Sequence, residues 1–188
     1  MTGPRKLLFA TGNEHKVDEV RAILGPEWVV EARPTDAEET ADTFEGNALI
    51  KARALCAETG VASVADDSGI EVDALGGAPG VRSARWADEA DWVPKVLRDL
   101  EARPGQPRTC RYVAAVALAR PDGTEVVVRG TVEGTVAPAA RGGNGFGYDP
   151  IMVPDEGDGR TFGEMSEAEK HAISHRARAF RAILPHLT

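Results

Sequence analysis

The chain has 188 residues, of which 42% are hydrophobic and 28% charged, and its formal net charge is -8. This composition is ordinary for a globular domain, and the acidic balance argues against a nucleic-acid-binding protein of the basic-patch class. The sequence shows no signal segment and no apolar run of the roughly 20 residues that a membrane helix needs. We therefore expect a soluble, cytoplasmic protein that forms one domain over residues 1–188.

The first part of the chain alternates the patterns of buried strands and amphipathic helices. The Thr-Gly-Asn turn between the first strand and the first helix, and the capping-box spacing of Asp42 and Glu45, mark two helix starts. The predicted elements are a strand at 7–10, a helix that ends at Gly25-Pro26, a strand at 28–30, an acidic loop at 36–42, a helix that ends at Gly60, a strand at 61–65, a polar turn at 66–69 and a strand-like piece at 70–75.

The second part adds further strands and helices, so the whole pattern predicts an α/β fold with a mixed sheet. Cys56 and Cys110 have no metal-ligand or CxxC spacing and are expected to be buried thiols. The predicted elements are a helix capped by Asp91 and ending near Ala102, strands at 109–119 and 124–136 joined by a Pro121-Asp122-Gly123 turn, a glycine-rich loop at 142–150, and a helical segment at 166–184 with a Ser166/Glu169 capping box.

The stretch TGNEHK, residues 11–16, places a tight turn between a strand and the N-terminus of a helix. Free backbone N–H groups, the helix dipole and the charge of Lys16 favour a bound anion there. The stretch does not have the Walker spacing, and taken alone it also fits a plain strand–turn–helix with a surface lysine.

The stretch ADDSG, residues 65–69, sets Asp66 beside Asp67 after an apolar run. No lysine or arginine lies between Arg53 and Arg82 to neutralise the pair, whereas Mg²⁺ or Mn²⁺ would do so. The acidic loop offers Glu38 and Glu39 as further ligands. The alternative interpretations are a polar hairpin corner for ADDSG and a solvated face for the loop.

Two further stretches could contribute to a ligand site. The loop GGNGFGYDP, residues 142–150, combines glycines that permit close backbone approach with two aromatic rings that could stack on a base. In EKHAISHR, an ideal helix would place Lys170 and His175 about 140° apart, with Arg176 pointing elsewhere again. The three cations can cooperate only if the helix breaks near residues 173–174, with Ser174 capping a new helix. The plain alternatives are a flexible loop and a charged outer helix face.

In this order, TGNxxK, EET..TF..NA..KA, ADDSG..VD.LGG.PG..SAR, FGYDP and EK..ISHR resemble the inosine triphosphate pyrophosphatase family over nearly the whole chain. The resemblance implies hydrolysis of ITP, dITP and XTP to the monophosphate and pyrophosphate with Mg²⁺. It also implies a homodimer, and a fold with an elongated mixed sheet, flanking helices and two lobes around a central cleft. The short segment ADEADW after SAR departs from the pattern of relatives.

The resemblance also implies roles for individual residues, with Lys16 counted among the catalytic ones. Carried over by motif, the roles are a general base and metal ligand for Asp67, a second metal carboxylate for Glu38, assistance at the metal–water centre for Asp66, substrate contact for Ser68, phosphate binding for Thr11, Gly12, Asn13, Glu14, His15, Lys16 and Lys170, and contact with the base for Phe146, Gly147, Tyr148, Asp149, His175 and Arg176.

Two other functions remain open from the sequence. A Mg²⁺ phosphomonoesterase with an aspartyl nucleophile would release orthophosphate rather than pyrophosphate. A nucleotide-binding sensor would bind ITP and release no product, but a pure binder gains little from two carboxylates beside phosphate.

Overall fold

The structure, a computed structural model, describes residues 3–187 as a mixed α/β fold, which confirms the predicted class. Short 3-10 turns connect several of the longer elements. The strands are β1 (Arg5–Phe9), β2 (Trp28–Ala32), β3 (Ser63–Val72), β4 (Thr109–Ala119), β5 (Glu125–Val136) and β6 (Met152–Pro154), and the α-helices are α1 (Glu14–Leu24), α2 (Phe44–Thr59), α3 (Trp92–Glu101), α4 (Glu167–Ile173) and α5 (His175–Ile183).

The six strands form one sheet in the order β2-β1-β3-β4-β5-β6. Strand β1 pairs in parallel with both β2 and β3, whereas β5 and β6 pair antiparallel, so the sheet is mixed as predicted. Within residues 3–187, no helix is both long and apolar enough to cross a membrane.

The chain divides into two compact units, and strand β3 passes from the first to the second after Asp67. Unit 1 holds the chain up to that residue, Ala114–Gly130 and the C-terminal part from Arg176, while unit 2 holds Ser68–Val113 and Thr131–His175. Each unit has its own hydrophobic core, which includes Phe9 and Phe180 in unit 1 and Tyr112 and Phe162 in unit 2. The assignment of a single domain with two lobes stays a prediction.

Several local predictions are confirmed. Helix α4 ends at Ile173 and α5 begins at His175, because Ser174 between them has an extended backbone (φ -64°, ψ 152°). Ser166 and Glu169 form the predicted capping box at the start of α4. Both cysteines are free and buried.

Three local predictions need correction. ADDSG forms no turn, since β3 runs without interruption from Ser63 to Val72. Gly69 serves close packing instead, because a Cβ there would lie 2.3 Å from the hydroxyl oxygen of Ser83.

Helix α2 is capped by Thr43, which accepts from the backbone N–H of Gly46, and not by Asp42. Asp91 holds the N-cap position of α3 but makes no capping hydrogen bond with its side chain.

The core of unit 1 can be tested at Phe180, which is fully buried and meets Phe9 edge to face at 5.6 Å between ring centroids. Phe180→Ala should lower the free energy of unfolding by about 3–5 kcal/mol, because it removes buried area and leaves a cavity. Urea denaturation measures this change. The control Val29→Ala, at a side chain 45% exposed, should change stability by no more than about 0.5 kcal/mol. Equal losses in the two variants would contradict the assigned core.

Candidate active site

Asp66 lies at the centre of a buried chain of charges in unit 1. Lys16 Nζ donates to its Oδ1 at 3.0 Å, and Arg176 Nε donates to its Oδ2 at 3.2 Å. A second nitrogen of the same guanidinium, Nη1, donates to Glu19. The carboxylate is 1% exposed and the arginine 1%, so both depend on these partners rather than on water.

Local sequence explains how these groups meet. Lys16 and Glu19 are three residues apart on α1 and therefore share a helix face. Asn13 caps that helix by accepting from the backbone N–H of Lys16. Arg176 is the second residue of α5, so its placement depends on the helix break at Ser174.

The positive partners keep Asp66 ionised. Burial alone would raise the pKa of Asp66, but the charges of Lys16 and Arg176 outweigh it and hold that pKa well below its usual range. Burial in turn lowers the pKa of the Lys16 ammonium, an effect that Asp66 opposes. Asp66 is thus a fixed negative charge that orients two cations.

Asp67 has different partners because successive side chains of a strand point to opposite faces. Asn47 Nδ2 donates to Asp67 Oδ2 at 3.1 Å, and Lys51 Nζ lies 3.9 Å from Asp67 Oδ1. The same ammonium lies 2.6 Å from a carboxylate oxygen of Glu39. The fully buried amide of Asn47 also accepts from the backbone N–H of Ala41, which fixes the acidic loop beside this carboxylate.

Asn47 and Lys51 stand in the motif NA..KA, but no site role was predicted for them. The signal was present in NALIK, because residues four apart on α2 lie on one face. What the sequence did not show is that this face meets Asp67, since β3 and α2 reach that contact only through tertiary packing.

Asp67 is poised to exchange a proton near neutral pH. Burial raises its pKa to about 6, against the lowering effect of the positive charges of Lys51 and Lys16. The neighbouring carboxylates thus differ sharply, with Asp66 always charged and Asp67 able to titrate.

The donors around Asp67 fit a hard cation only as a partial ligand set. Glu39 is the acidic-loop carboxylate whose charge raises the pKa of Asp67, whereas Glu38 is exposed. Over residues 3–187, no three Asp, Glu, His or Cys side chains are grouped so as to hold a metal ion. Mg²⁺ commonly takes one or two carboxylates and completes its shell with water and phosphate oxygens, so the carboxylates of Asp67 and Glu39 suit it.

The turn before α1 remains the predicted phosphate site. Gly12, Asn13, Glu14 and His15 are exposed, and Thr11 Oγ1 accepts from the backbone N–H of Asn13 at 3.1 Å. This hydrogen bond shapes the turn.

Unit 2 contains a second buried carboxylate, Asp149. Lys170 Nζ and the backbone N–H of Phe146 donate to its Oδ2 at 2.7 and 2.9 Å, and the Tyr112 hydroxyl donates to its Oδ1 at 3.0 Å. Gly145 permits this packing, since a Cβ there would collide with Asp149. The ammonium also lies 4.9 Å from the centroid of the Phe146 ring. Lys170 therefore lies with residues predicted to contact the base, and its phosphate role stays a prediction.

Other predicted residues of unit 2 are placed less directly. The buried ring of Tyr148 stacks on Trp92 at 5.7 Å, and its hydroxyl donates to the carbonyl of Ser83 at 2.7 Å. The ring of His175 lies 4.5 Å from that of Tyr112, which the sequence reasoning missed because TCRYVAAVALA reads as a plain buried strand. Ser68 and Gly147 are half-buried.

The buried charges of unit 1 can be tested at Arg176. Arg176→Met should lower the free energy of unfolding by about 3–5 kcal/mol, because it leaves Glu19 and Asp66 without that compensating charge. Arg53 is the matched control, since it pairs with Glu125 at 2.6 Å but is exposed. Arg53→Met should cost less than about 1 kcal/mol in the same denaturation experiment. A small loss in Arg176→Met would show that the buried charges are not coupled as described.

Known proteins are similar to this chain in both sequence and fold. A dITP/XTP pyrophosphatase of Symbiobacterium thermophilum is 49% identical over 189 residues, with 97% of this chain and 95% of the relative covered. A dITP/XTP pyrophosphatase of Caulobacter vibrioides is 48% identical over 186 residues, with 95% of each chain covered.

Among solved structures, a HAM1 protein from Coxiella burnetii superposes with a TM-score of 0.86 at 35% identity, covering 97% of this chain and 98% of that chain. A nucleoside-triphosphatase / dITP/XTP pyrophosphatase from Mycobacterium abscessus gives a TM-score of 0.76 at 44% identity, covering 96% and 99%. The model of the Ham1 family matches residues 7–186, and the chain therefore belongs to the Ham1 family.

Proposed function

We propose that this protein hydrolyses ITP, dITP and XTP to the nucleoside monophosphate and pyrophosphate. The observation that carries the proposal is Asp67, a buried carboxylate whose pKa is raised to about 6 while Asn47 and Lys51 fix its position. Relatives that bear the name dITP/XTP pyrophosphatase at 46–49% identity support the choice of substrates. We also propose, from the family resemblance, that the protein is a cytoplasmic homodimer.

Asp67 acts as the general base in this proposal. With a pKa of about 6 it is mostly ionised at pH 7, yet it is a better proton acceptor than an ordinary aspartate. It accepts a proton from the water whose oxygen attacks the α-phosphorus. The bond from that phosphorus to the bridging oxygen breaks, and pyrophosphate leaves with the electron pair.

Cations of the chain hold the phosphates. Lys16 is the first candidate, because Asp66 fixes its ammonium while its side chain stays 15% exposed. The exposed residues Gly12 and Glu14 place backbone N–H groups at the N-terminus of α1, where the helix dipole favours an anion. These groups stabilise the negative charge that develops on the leaving pyrophosphate.

The residues that would hold Mg²⁺ are Asp67 and one carboxylate of the acidic loop. The family resemblance implies Glu38 for that carboxylate, whereas Glu39 is the one whose charge raises the pKa of Asp67. Bound there with phosphate oxygens, the ion would supply charge neutralisation of the polyphosphate, and Mn²⁺ would be the expected substitute.

The purine base is recognised by the residues around Asp149 in unit 2, namely Tyr112, Phe146 and Lys170. A 6-oxo purine presents an acceptor at position 6, whereas adenine presents a 6-amino donor there. The Lys170 ammonium is a donor only, so it suits the 6-oxo group. We therefore assign Lys170 to the purine base in place of the phosphate role implied by the resemblance, with Phe146 beside it and His175 beside Tyr112.

The products of the reaction and its preference for 6-oxo purines can be tested together. The wild-type protein with Mg²⁺ should convert ITP, dITP and XTP to monophosphate and pyrophosphate, and should turn over ATP at least tenfold more slowly. Ion-exchange chromatography of the products separates the outcomes. Orthophosphate as the first product would support a phosphomonoesterase, and binding without any product would support a nucleotide sensor.

Asp67→Asn should reduce turnover of ITP by at least a thousandfold while the unfolding curve stays close to that of the wild type, because the amide removes the base but keeps an acceptor for Asn47. Asp73→Asn is the control, since that carboxylate contacts Thr109 and Arg111 and has no part in the proposed reaction. Comparable activity of Asp67→Asn and the wild type would refute the assignment.

The pH dependence of kcat/KM tests the raised pKa. As the pH falls below about 6, Asp67 takes up a proton and can no longer accept one from water, so kcat/KM should fall about tenfold per pH unit. Raising the Mg²⁺ concentration should move this limb to lower pH, because a bound cation favours the charged carboxylate. An acid limb near pH 4 that ignores Mg²⁺ would indicate an unperturbed carboxylate as the base.

A further inference from the structure

Asp149 is held by donors from three separate segments of unit 2. Lys170 comes from α4, Phe146 from the glycine-rich loop, and Tyr112 from the middle of β4. The carboxylate is 2% exposed, so these groups replace its hydration. Its two oxygens are not equivalent, since Oδ2 accepts from the ammonium and the backbone amide, while Oδ1 accepts from the phenol.

The Tyr112 hydroxyl is aimed by packing of its ring. The residue is 5% exposed, and the ring stacks on Phe162 at 5.8 Å with a tilt of 16°. The ring of His175 lies against it at 4.5 Å. Ring packing of this kind holds the phenol oxygen within hydrogen-bonding distance of Asp149.

This hydroxyl can affect which purine base binds, because of the hydrogen-bonding chemistry of a carboxylate. An ionised carboxylate only accepts hydrogen bonds, so a buried oxygen of Asp149 without a donor would favour any ligand that brings one. The 6-amino group of adenine is such a donor, and the 6-oxo group of hypoxanthine or xanthine is not. The same carboxylate would therefore favour the wrong base unless its oxygens are already occupied.

We propose that Tyr112 is a positioning residue that determines base specificity, by occupying Asp149 Oδ1 and thereby leaving Lys170 as the group that meets position 6. This inference rests on the proposed function, because it assigns a role within the same recognition group. It concerns the hydroxyl alone, and it separates Asp149, which serves as an internal acceptor, from Lys170, which serves as the donor to the ligand.

Tyr112→Phe tests the proposal, because it keeps the ring packing on Phe162 and His175 and removes the hydroxyl. The ratio of kcat/KM for ITP over kcat/KM for ATP should fall by about tenfold or more. The change should come from a higher KM for ITP and a lower KM for ATP. The value of kcat for ITP should stay within about twofold, since Asp67 and Lys16 are not altered.

Thr109→Val is the matched control, because Thr109 also donates a hydroxyl hydrogen bond to a carboxylate, that of Asp73 at 2.6 Å, from the same strand. It is exposed and should leave both KM values unchanged. A Tyr112→Phe protein with a wild-type ITP/ATP ratio would overturn the proposal even if its melting temperature falls, because a purely structural hydroxyl would give that result.

Nucleotide affinity measured by calorimetry in the Asp67→Asn background separates this proposal from the reaction itself. If the wild type releases no pyrophosphate, the proposed function fails, while binding still decides the role of Tyr112. A tenfold smaller preference for ITP over ATP on adding Tyr112→Phe supports the inference, and an unchanged preference overturns it.

Discussion

The pairing of Asp66 with Lys16 and Arg176 is the interaction on which unit 1 depends most. A carboxylate 1% exposed is tolerable only because two cations hold it at 3.0 and 3.2 Å. Those cations come from α1 and α5, at opposite ends of the sequence, so one buried charge joins both helices to β3. The same contact fixes the ammonium proposed to bind phosphate. Folding and the proposed site are thus linked through a single carboxylate.

Two adjacent aspartates acquire different properties from this arrangement. Because β3 is continuous, Asp66 and Asp67 point to opposite faces and meet different helices. The first is surrounded by positive charge and stays ionised, and the second is buried with weaker compensation, so its pKa rises to about 6. A turn at this point, as the sequence suggested, would not impose this alternation of the two side chains. Their difference as acid and base therefore follows from an uninterrupted strand.

The sequence predicted what depends on local chemistry, and missed what depends on packing. The sequence predicted the helix break at Ser174 on the condition that Lys170, His175 and Arg176 cooperate, because one straight helix cannot aim all three into one site. The partners of Asp67 were not, because Asn47 is twenty residues away on α2 and nothing local shows where its amide points. Gly69 was wrongly predicted to be a turn residue, because the sequence alone does not distinguish a glycine needed for close packing from one needed for a turn.

The two lysines proposed to contact substrate differ in the environment that their carboxylate partners create. Lys16 keeps 15% of its side chain exposed beside Asp66, whereas Lys170 keeps 5% beside Asp149 and lies over an aromatic ring. A polyphosphate enters from solvent, so a cation that contacts it must be accessible to the ligand. Recognition of a 6-oxo group benefits from a buried donor instead, because a mismatched group costs more free energy where it cannot bond to water. The more exposed lysine therefore suits the phosphates, and the buried one suits the base.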